Sequence, residues 1–354
     1  MKIEELGYRK NLKKYAKEQN LDTFEIGRVI LEHKDRYIIK TPDSEFEAEL
    51  LGNFRFTAKN RYDYPTVGDW VAFSEYDDGK ALIHALYPRT SIIERQAIGT
   101  SGQIQLIATN VDGGLIVQAV GRDFNLNRLE RYLTICYSSG VAPFIVLNKI
   151  DLINKSELKS IIVQISQRIK NVPIICVSNQ TKGYNELETI IEKGKTYCLL
   201  GSSGVGKSTI LNNLSGKQKM RTGEISLSVN KGRHITSHRE LIVLNSGGII
   251  IDNPGMREVG IADTKRGLET TFDSIIGYSQ NCRFKDCTHT HEKGCAILEA
   301  IEKGEIDEDS YFNFLKMEKE KSHFESDAVE RRKKDKDFGK MIKNVKKHTK
   351  NNKY

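Results

Sequence analysis

The chain has 354 residues, 38% of them hydrophobic and 29% charged, with a net charge of +8. That length suggests two or three domains, and six cysteines in so long a chain argue against a disulfide scaffold. There is no run of about 18 apolar residues and no apolar signal region after Met1, so the expectation is a cytoplasmic protein without a membrane-spanning helix.

In chain order, residues 1–22 read as a polar, lysine-rich arm, either a helix or a loose segment. From Thr23 to about residue 100 the texture is β. The short runs are Arg28–Leu31, Tyr37–Lys40, Phe46–Leu50, Asp69–Phe73 and Ala81–His84, separated by turns such as Thr41–Ser44 and Asp77–Gly79. Five short strands in so few residues predict a closed barrel of the OB type. Such barrels often hold oligonucleotides, but a fold does not fix a function. Arg55, Arg61, Tyr62 and Tyr64 read either as a basic-aromatic RNA surface or as a solvated loop with ordinary tyrosines.

From Val111 the texture becomes α/β. Gly114–Val120 and Pro143–Leu147 are apolar runs expected of strands buried on both faces, with a helix over Asn127–Ser138 between them. The second strand ends in Asn148-Lys149-Ile150-Asp151. N-K-x-D at the end of a buried strand is a guanine-reading signature. Asp151 can accept from guanine N1–H and the exocyclic amine, and adenine would leave the carboxylate unpaired. Asn148 would support the base edge and the Lys149 stem would cover the base. A helix over Glu157–Ile169 and a strand over Pro173–Val177 follow. Ser178 and Asn179 then resemble the base-supporting S-A-x loop of GTPases, with Asn179 in the alanine position.

The strand Tyr197–Leu200 leads into Gly201-Ser202-Ser203-Gly204-Val205-Gly206-Lys207-Ser208-Thr209, a match to G-x-x-x-x-G-K-[ST]. Glycines let successive N–H groups curl around phosphate oxygens. Lys207 adds a charge near the β- and γ-phosphates. Ser208 offers a hydroxyl to Mg2+ and opens a helix whose N-terminus favours anions.

The polar segment 215–237 reads as a switch loop. Thr236 is the expected magnesium-binding hydroxyl, with Thr222 as the fallback, and His234 and His238 are candidates to position the attacking water. Glu240–Asn245, the turn Ser246–Gly248 and Gly248–Ile251 read as a hairpin. It ends in Asp252-Asn253-Pro254-Gly255. In this D-x-P-G element Asp252 would serve the magnesium shell and the Gly255 N–H the γ-phosphate. Met256 stands where Ras-like enzymes carry a water-orienting Gln, so intrinsic hydrolysis should be slow. The base reader precedes the phosphate loop, so the order is a circular permutation of the Ras-like one.

Beyond lies Cys282-x4-Cys287-x-His289-x5-Cys295, whose donors suit one structural Zn2+ per subunit, with His291 a competing ligand. Tyr311–Glu330 reads as helical. From Arg331 onward there are eleven Lys/Arg against two Asp, either a phosphate-tracking arm or a solvated tail.

Taken together, the barrel, the permuted elements, Gly232–Leu241, Asp252–Glu258 and the Cys/His cluster resemble the RsgA (YjeQ-type) ribosome biogenesis GTPases. The resemblance implies a bacterial cytosolic GTPase that uses GTP/GDP, Mg2+ and zinc. It also implies binding to the small ribosomal subunit and its rRNA, action late in that subunit's maturation, and hydrolysis stimulated there. The resemblance, not the spacing, favours His289 over His291. This chain departs from the family at Ile235 and Ser237, where threonines are usual, and at Asn253 and Lys293. The expected layout is multidomain and monomeric: arm 1–22, OB-fold barrel 23–100, permuted P-loop α/β GTPase 105–265, helical zinc module 266–330 and basic tail 331–354. The competing readings are a constitutive rRNA-binding assembly factor with a mainly structural nucleotide, and an ATP-using P-loop enzyme, which Asp151 disfavours.

Overall fold

The structure, a computed structural model, describes residues 1–33, 36–96, 104–178, 184–216, 239–253 and 265–324, except the side chains of Arg55, His323 and Phe324. The arm forms a 3-10 turn, Ile3–Leu6, and helix α1, Lys10–Glu18. It is anchored: Leu6, Leu12 and Ala16 are buried with Trp70 and Tyr87.

Five strands follow: β1 (Glu25–His33), β2 (Arg36–Lys40), β3 (Glu45–Leu50), β4 (Trp70–Asp77) and β5 (Lys80–Leu86). They close in the order β1-β2-β3-β5-β4-β1, with β3–β5 parallel and the other pairings antiparallel. In β3, Phe46, Ala48 and Leu50 turn inward and Glu45, Glu47 and Glu49 outward, the period-two signature of a half-buried strand. Helix α2 (Gly52–Thr57) links β3 toward β4. An antiparallel pair, β6 (Ile92–Gln96) and β7 (Ile104–Thr109), leads out of the barrel.

The α/β part runs β8 (Gly113–Ala119), α3 (Leu126–Ser138), β9 (Ala142–Asn148), α4 (Lys155–Arg168), β10 (Ile174–Cys176) and α5 (Tyr184–Ile190). It continues with β11 (Thr196–Leu200), α6 (Lys207–Ser215), β12 (Glu240–Val243) and β13 (Ile249–Asp252). The strand order is β10-β9-β8-β11-β13-β12, parallel except for the β12–β13 hairpin. Alternate residues of β8 enter two different cores, Leu115 and Val117 on one face and Ile116 on the other. Burial on both faces explains the unbroken apolar runs in the sequence.

The barrel meets this sheet where β1 pairs with β12, Leu31 opposite Glu240. Nearby, the buried Arg28 donates to three carbonyls: Leu6 at 2.5 Å in the arm, Gly68 at 3.2 Å in the barrel and Asn110 at 3.3 Å before β8. Burial lowers its pKa to about 10, so the guanidinium remains charged at neutral pH. Four helices complete the described chain: α7 (Lys265–Thr271), α8 (Asp273–Ser279), α9 (Ala296–Glu302) and α10 (Glu308–Phe324). They share a core that includes Leu268, Phe272, Ile297, Tyr311 and Met317. Among the described residues no helix is long and apolar enough to cross a membrane.

Candidate functional site

The sequence motifs converge on one edge of the parallel sheet. Asn148 ends β9, Ser178 lies just past β10, Gly201–Gly206 follow β11 and Asp252 ends β13. All are carboxyl ends of parallel strands, where open α/β sheets hold their ligands.

Gly201–Gly206 joins β11 to α6, and two of its glycines are required by close approach. A Cβ on Gly206 (φ +98°) would lie 2.2 Å from Asn148 Nδ2, and one on Gly201 would lie 2.4 Å from the Val117 carbonyl. The loop is bound to the N-K-x-D turn. Asn148 Nδ2 donates to Val205 O at 2.8 Å, and Lys149 Nζ donates to Gly204 O at 2.8 Å. Lys149 sits in the left-handed region (φ 61°), and its N–H donates to Asn148 Oδ1 at 2.8 Å. Asp151 accepts a hydrogen bond from Ser178 Oγ, which ties the two base-side loops together.

Lys207 is buried, and its ammonium donates to the carbonyls of Gly201 (2.7 Å) and Ser202 (2.9 Å). Burial lowers its pKa to about 8, with nearby Asp252 opposing that shift. Asp252 is 2% exposed, and burial raises its pKa against the pull of Lys207. Among the described residues its Oδ1 has no hydrogen-bond partner, and neither has Asn253 Nδ2. An orphaned buried carboxylate oxygen beside the phosphate loop fits a hard cation such as Mg2+, and Ser208 lies at the start of α6 on the same edge. Asn179, Thr222, His234, Thr236, His238 and Gly255 lie outside the described residues, as does the basic tail 331–354.

At the C-terminal end, Cys282, Cys287, His289 and Cys295 bring one ligand atom each to within 4.8 Å of one another. His289 Nδ1 is 3.4 Å from Cys282 Sγ and 3.5 Å from Cys295 Sγ, and those sulfurs are 4.0 Å apart. Tetrahedral zinc with ordinary bond lengths needs about 3.5 Å between N and S and about 3.8 Å between sulfurs, so the set fits. His289 has φ 58°, and its carbonyl accepts from Tyr311 Oη at 2.8 Å. His291 is turned elsewhere, with Nδ1 2.7 Å from Thr290 Oγ1. Burial raises the Cys295 thiol to about 12, a shift that a coordinated Zn2+ would reverse by binding the thiolate.

The RNA surface suggested for the barrel loops looks different in three dimensions. Arg61 pairs with Glu32, Tyr62 Oη donates to Glu94 at 2.7 Å, and Tyr64 packs on the barrel core. Three of its four residues therefore serve internal contacts, and the Arg55 side chain lies outside the described set.

The RsgA GTPase family model matches residues 86–262. The chain is 37% identical to the small ribosomal subunit biogenesis GTPase RsgA 1 of Bacteroides thetaiotaomicron, over 92% of this chain and 91% of that one. It is 38% identical to the corresponding RsgA of Methanosarcina acetivorans, over 92% and 87%. The chain belongs to the RsgA GTPase family. Among solved structures it resembles YjeQ from Thermotoga maritima (TM-score 0.61, 26% identity, 82% of this chain and 96% of that one). It also resembles YloQ, described as a circularly permuted GTPase (TM-score 0.57, 25% identity, 83% and 93%). The protein is thus a GTP-hydrolysing enzyme with permuted element order, and its family implies GTP, GDP and Mg2+ as ligands.

Proposed function

We propose that this chain hydrolyses GTP while bound to the small ribosomal subunit, assists that subunit's late maturation, and leaves it after hydrolysis. The observation that supports the nucleotide half is the direct bonding of Asn148 and Lys149 to the phosphate loop, the contact expected of a base reader and a phosphate cradle that share one ligand. The printed names of the relatives support the ribosomal half.

In this reading Asp151, already aligned by Ser178, accepts from the guanine edge. The backbone of Gly201–Thr209 wraps the phosphates. The Lys207 ammonium exchanges its two carbonyl partners for phosphate oxygens. Ser208, Thr236 and Asp252 would hold Mg2+, which supplies positive charge to the β- and γ-phosphate oxygens when bound. Water attacks the γ-phosphorus in line, the bond to the β–γ bridging oxygen breaks, and GDP and phosphate leave. Gly255 N–H steadies the γ-phosphate, and His234 or His238 orients the water. Cys282, Cys287, His289 and Cys295 would hold one structural Zn2+, which would tie the C-terminal helices together. The same proposal keeps the division into arm, barrel, permuted GTPase, zinc module and basic tail, the barrel and tail facing rRNA in the cytoplasm.

The test is phosphate release from GTP, with ATP as control, with and without purified small subunits. A slow GTP rate that rises at least tenfold with subunits is expected. A rate indifferent to subunits would favour a constitutive RNA-binding factor, the reading that Met256 supports. Metal analysis of fresh protein should find about one equivalent of zinc, and a fold untouched by chelator would count against the structural metal.

A further inference from the structure

Residues 287–295 carry three of the four donors of the Cys/His cluster, and one further side chain organises the turn between them. Glu292 is half-buried, and its carboxylate folds back onto the chain before it. Its Oε1 accepts from the Thr288 N–H at 3.0 Å and from the Thr288 hydroxyl. Its Oε2 accepts from the N–H of Thr290 at 2.9 Å and from that of His291 at 3.1 Å. The Glu292 carbonyl in turn accepts from the Cys295 N–H at 3.2 Å. One residue is thus tied to both sides of His289 and to the chain at Cys295.

His289 needs such a hold. Its φ of 58° lies in the left-handed region, which a bulky L side chain visits rarely. In that conformation its Nδ1 lies 3.4 Å from Cys282 Sγ and 3.5 Å from Cys295 Sγ. Its carbonyl is anchored separately, by Tyr311 of α10. In the same turn His291 faces Thr290 Oγ1 instead, at 2.7 Å. Four donors shared between two oxygens call for a carboxylate. A glutamine has one acceptor oxygen, and its amide would set N–H groups against the donors on the other side.

We propose that Glu292 is a positioning residue for the metal site: its carboxylate shapes the turn that delivers His289, rather than His291, to the three thiolates. The proposal rests on reading Cys282, Cys287, His289 and Cys295 as a zinc set. It is tested on the full chain, by chelator competition for Zn2+ and by the absorption spectrum of the Co2+-substituted protein. Glu292→Gln should lower zinc affinity by about 10- to 100-fold, the range of a lost outer-shell partner. Its Co2+ bands should move toward those of His289→Ala, in which the protein offers only thiolates from this set. Thr288→Ala removes the hydroxyl donor alone and should lower the affinity by about two- to tenfold. His291→Ala should leave it unchanged. In a His289→Ala background Glu292→Gln should cost no further affinity, since it acts through that imidazole. Wild-type affinity and spectrum in Glu292→Gln overturn the inference and leave the metal site standing. An equal loss with and without His289 makes Glu292 a general brace of the loop and defeats the positioning role. A loss in His291→Ala as large as that in His289→Ala defeats the choice of ligand. Wild-type protein that binds no zinc overturns the metal reading, and the inference with it.

Discussion

Glu130 and Asp252 are both buried carboxylates of the α/β region, at 1% and 2% exposure, and each lies near a buried base. Their surroundings differ. Glu130 receives Arg168 through two bonds, at 3.0 and 2.7 Å, and then Ser310 and Asn313. Every lone pair that matters is used, by donors from α4 and α10. Asp252 has Lys207 nearby, but among the described residues its Oδ1 has no partner. A buried charge that its own chain saturates belongs to the architecture. One left short of partners is paid for by a ligand that the fold expects.

Glu130→Ala sharpens that contrast with the largest effect. It removes the main carboxylate partner of the buried Arg168, which keeps Asn127 and the half-exposed Asp307, and takes away the acceptor of Ser310 and Asn313 on α10, so urea unfolding should show a loss of about 3–5 kcal/mol. A loss under about 1 kcal/mol would mean that the cluster is decorative and that the distinction fails.

Asp252→Asn should do the reverse. The folded-state pKa of Asp252 is raised by burial, so the fold binds its proton more readily than the unfolded chain does. The nucleotide-free protein therefore loses stability as pH rises through that range, and at neutral pH it carries a penalty for the charge. The amide removes the penalty, so the unfolding midpoint should stay level or rise. GTP turnover should fall by about a hundredfold, as when one stabilising group is removed from a charged transition state. A variant that is both inactive and unstable would place Asp252 with Glu130 as an architectural group.

The same contrast explains what the sequence could reveal. Lys207, Asn148, Asp151 and Asp252 stand in short motifs at or next to the ends of adjacent strands, and the spacing within each motif is fixed locally. The five barrel strands and the β12–β13 hairpin were equally legible, since period-two alternation and turn residues are local signals. Glu130 meets Arg168, Ser310 and Asn313, which lie 38, 180 and 183 residues away, and a glutamate in a helix reads as a solvated face until those partners fold onto it. The arm read as helix or loose segment because its anchor, Arg28 with the Leu6 carbonyl, depends on a residue 22 positions downstream. His289 and His291 were indistinguishable by spacing. A left-handed backbone at His289 accompanies its placement among the thiols, and composition carries no trace of that.

The smallest effect is a pH slope, and it tests whether Lys207 is held for phosphate rather than for the fold. Burial lowers this lysine to about 8 in the nucleotide-free protein, and a bound polyphosphate must raise it by supplying negative charge. Nucleotide binding then takes up a proton above pH 8. Affinity should be flat below about pH 7.5 and fall above 8, by about fourfold between pH 7.0 and 8.5 for a free-state value near 8. Calorimetric GDP titrations in buffers of different ionisation enthalpy would show the proton uptake directly. Lys207→Arg keeps its charge throughout, so its affinity should be independent of pH over this range whatever its absolute value. An identical slope in that variant would move the titrating group away from Lys207, and the two carbonyl bonds from its ammonium would then be structural contacts like those of Arg168.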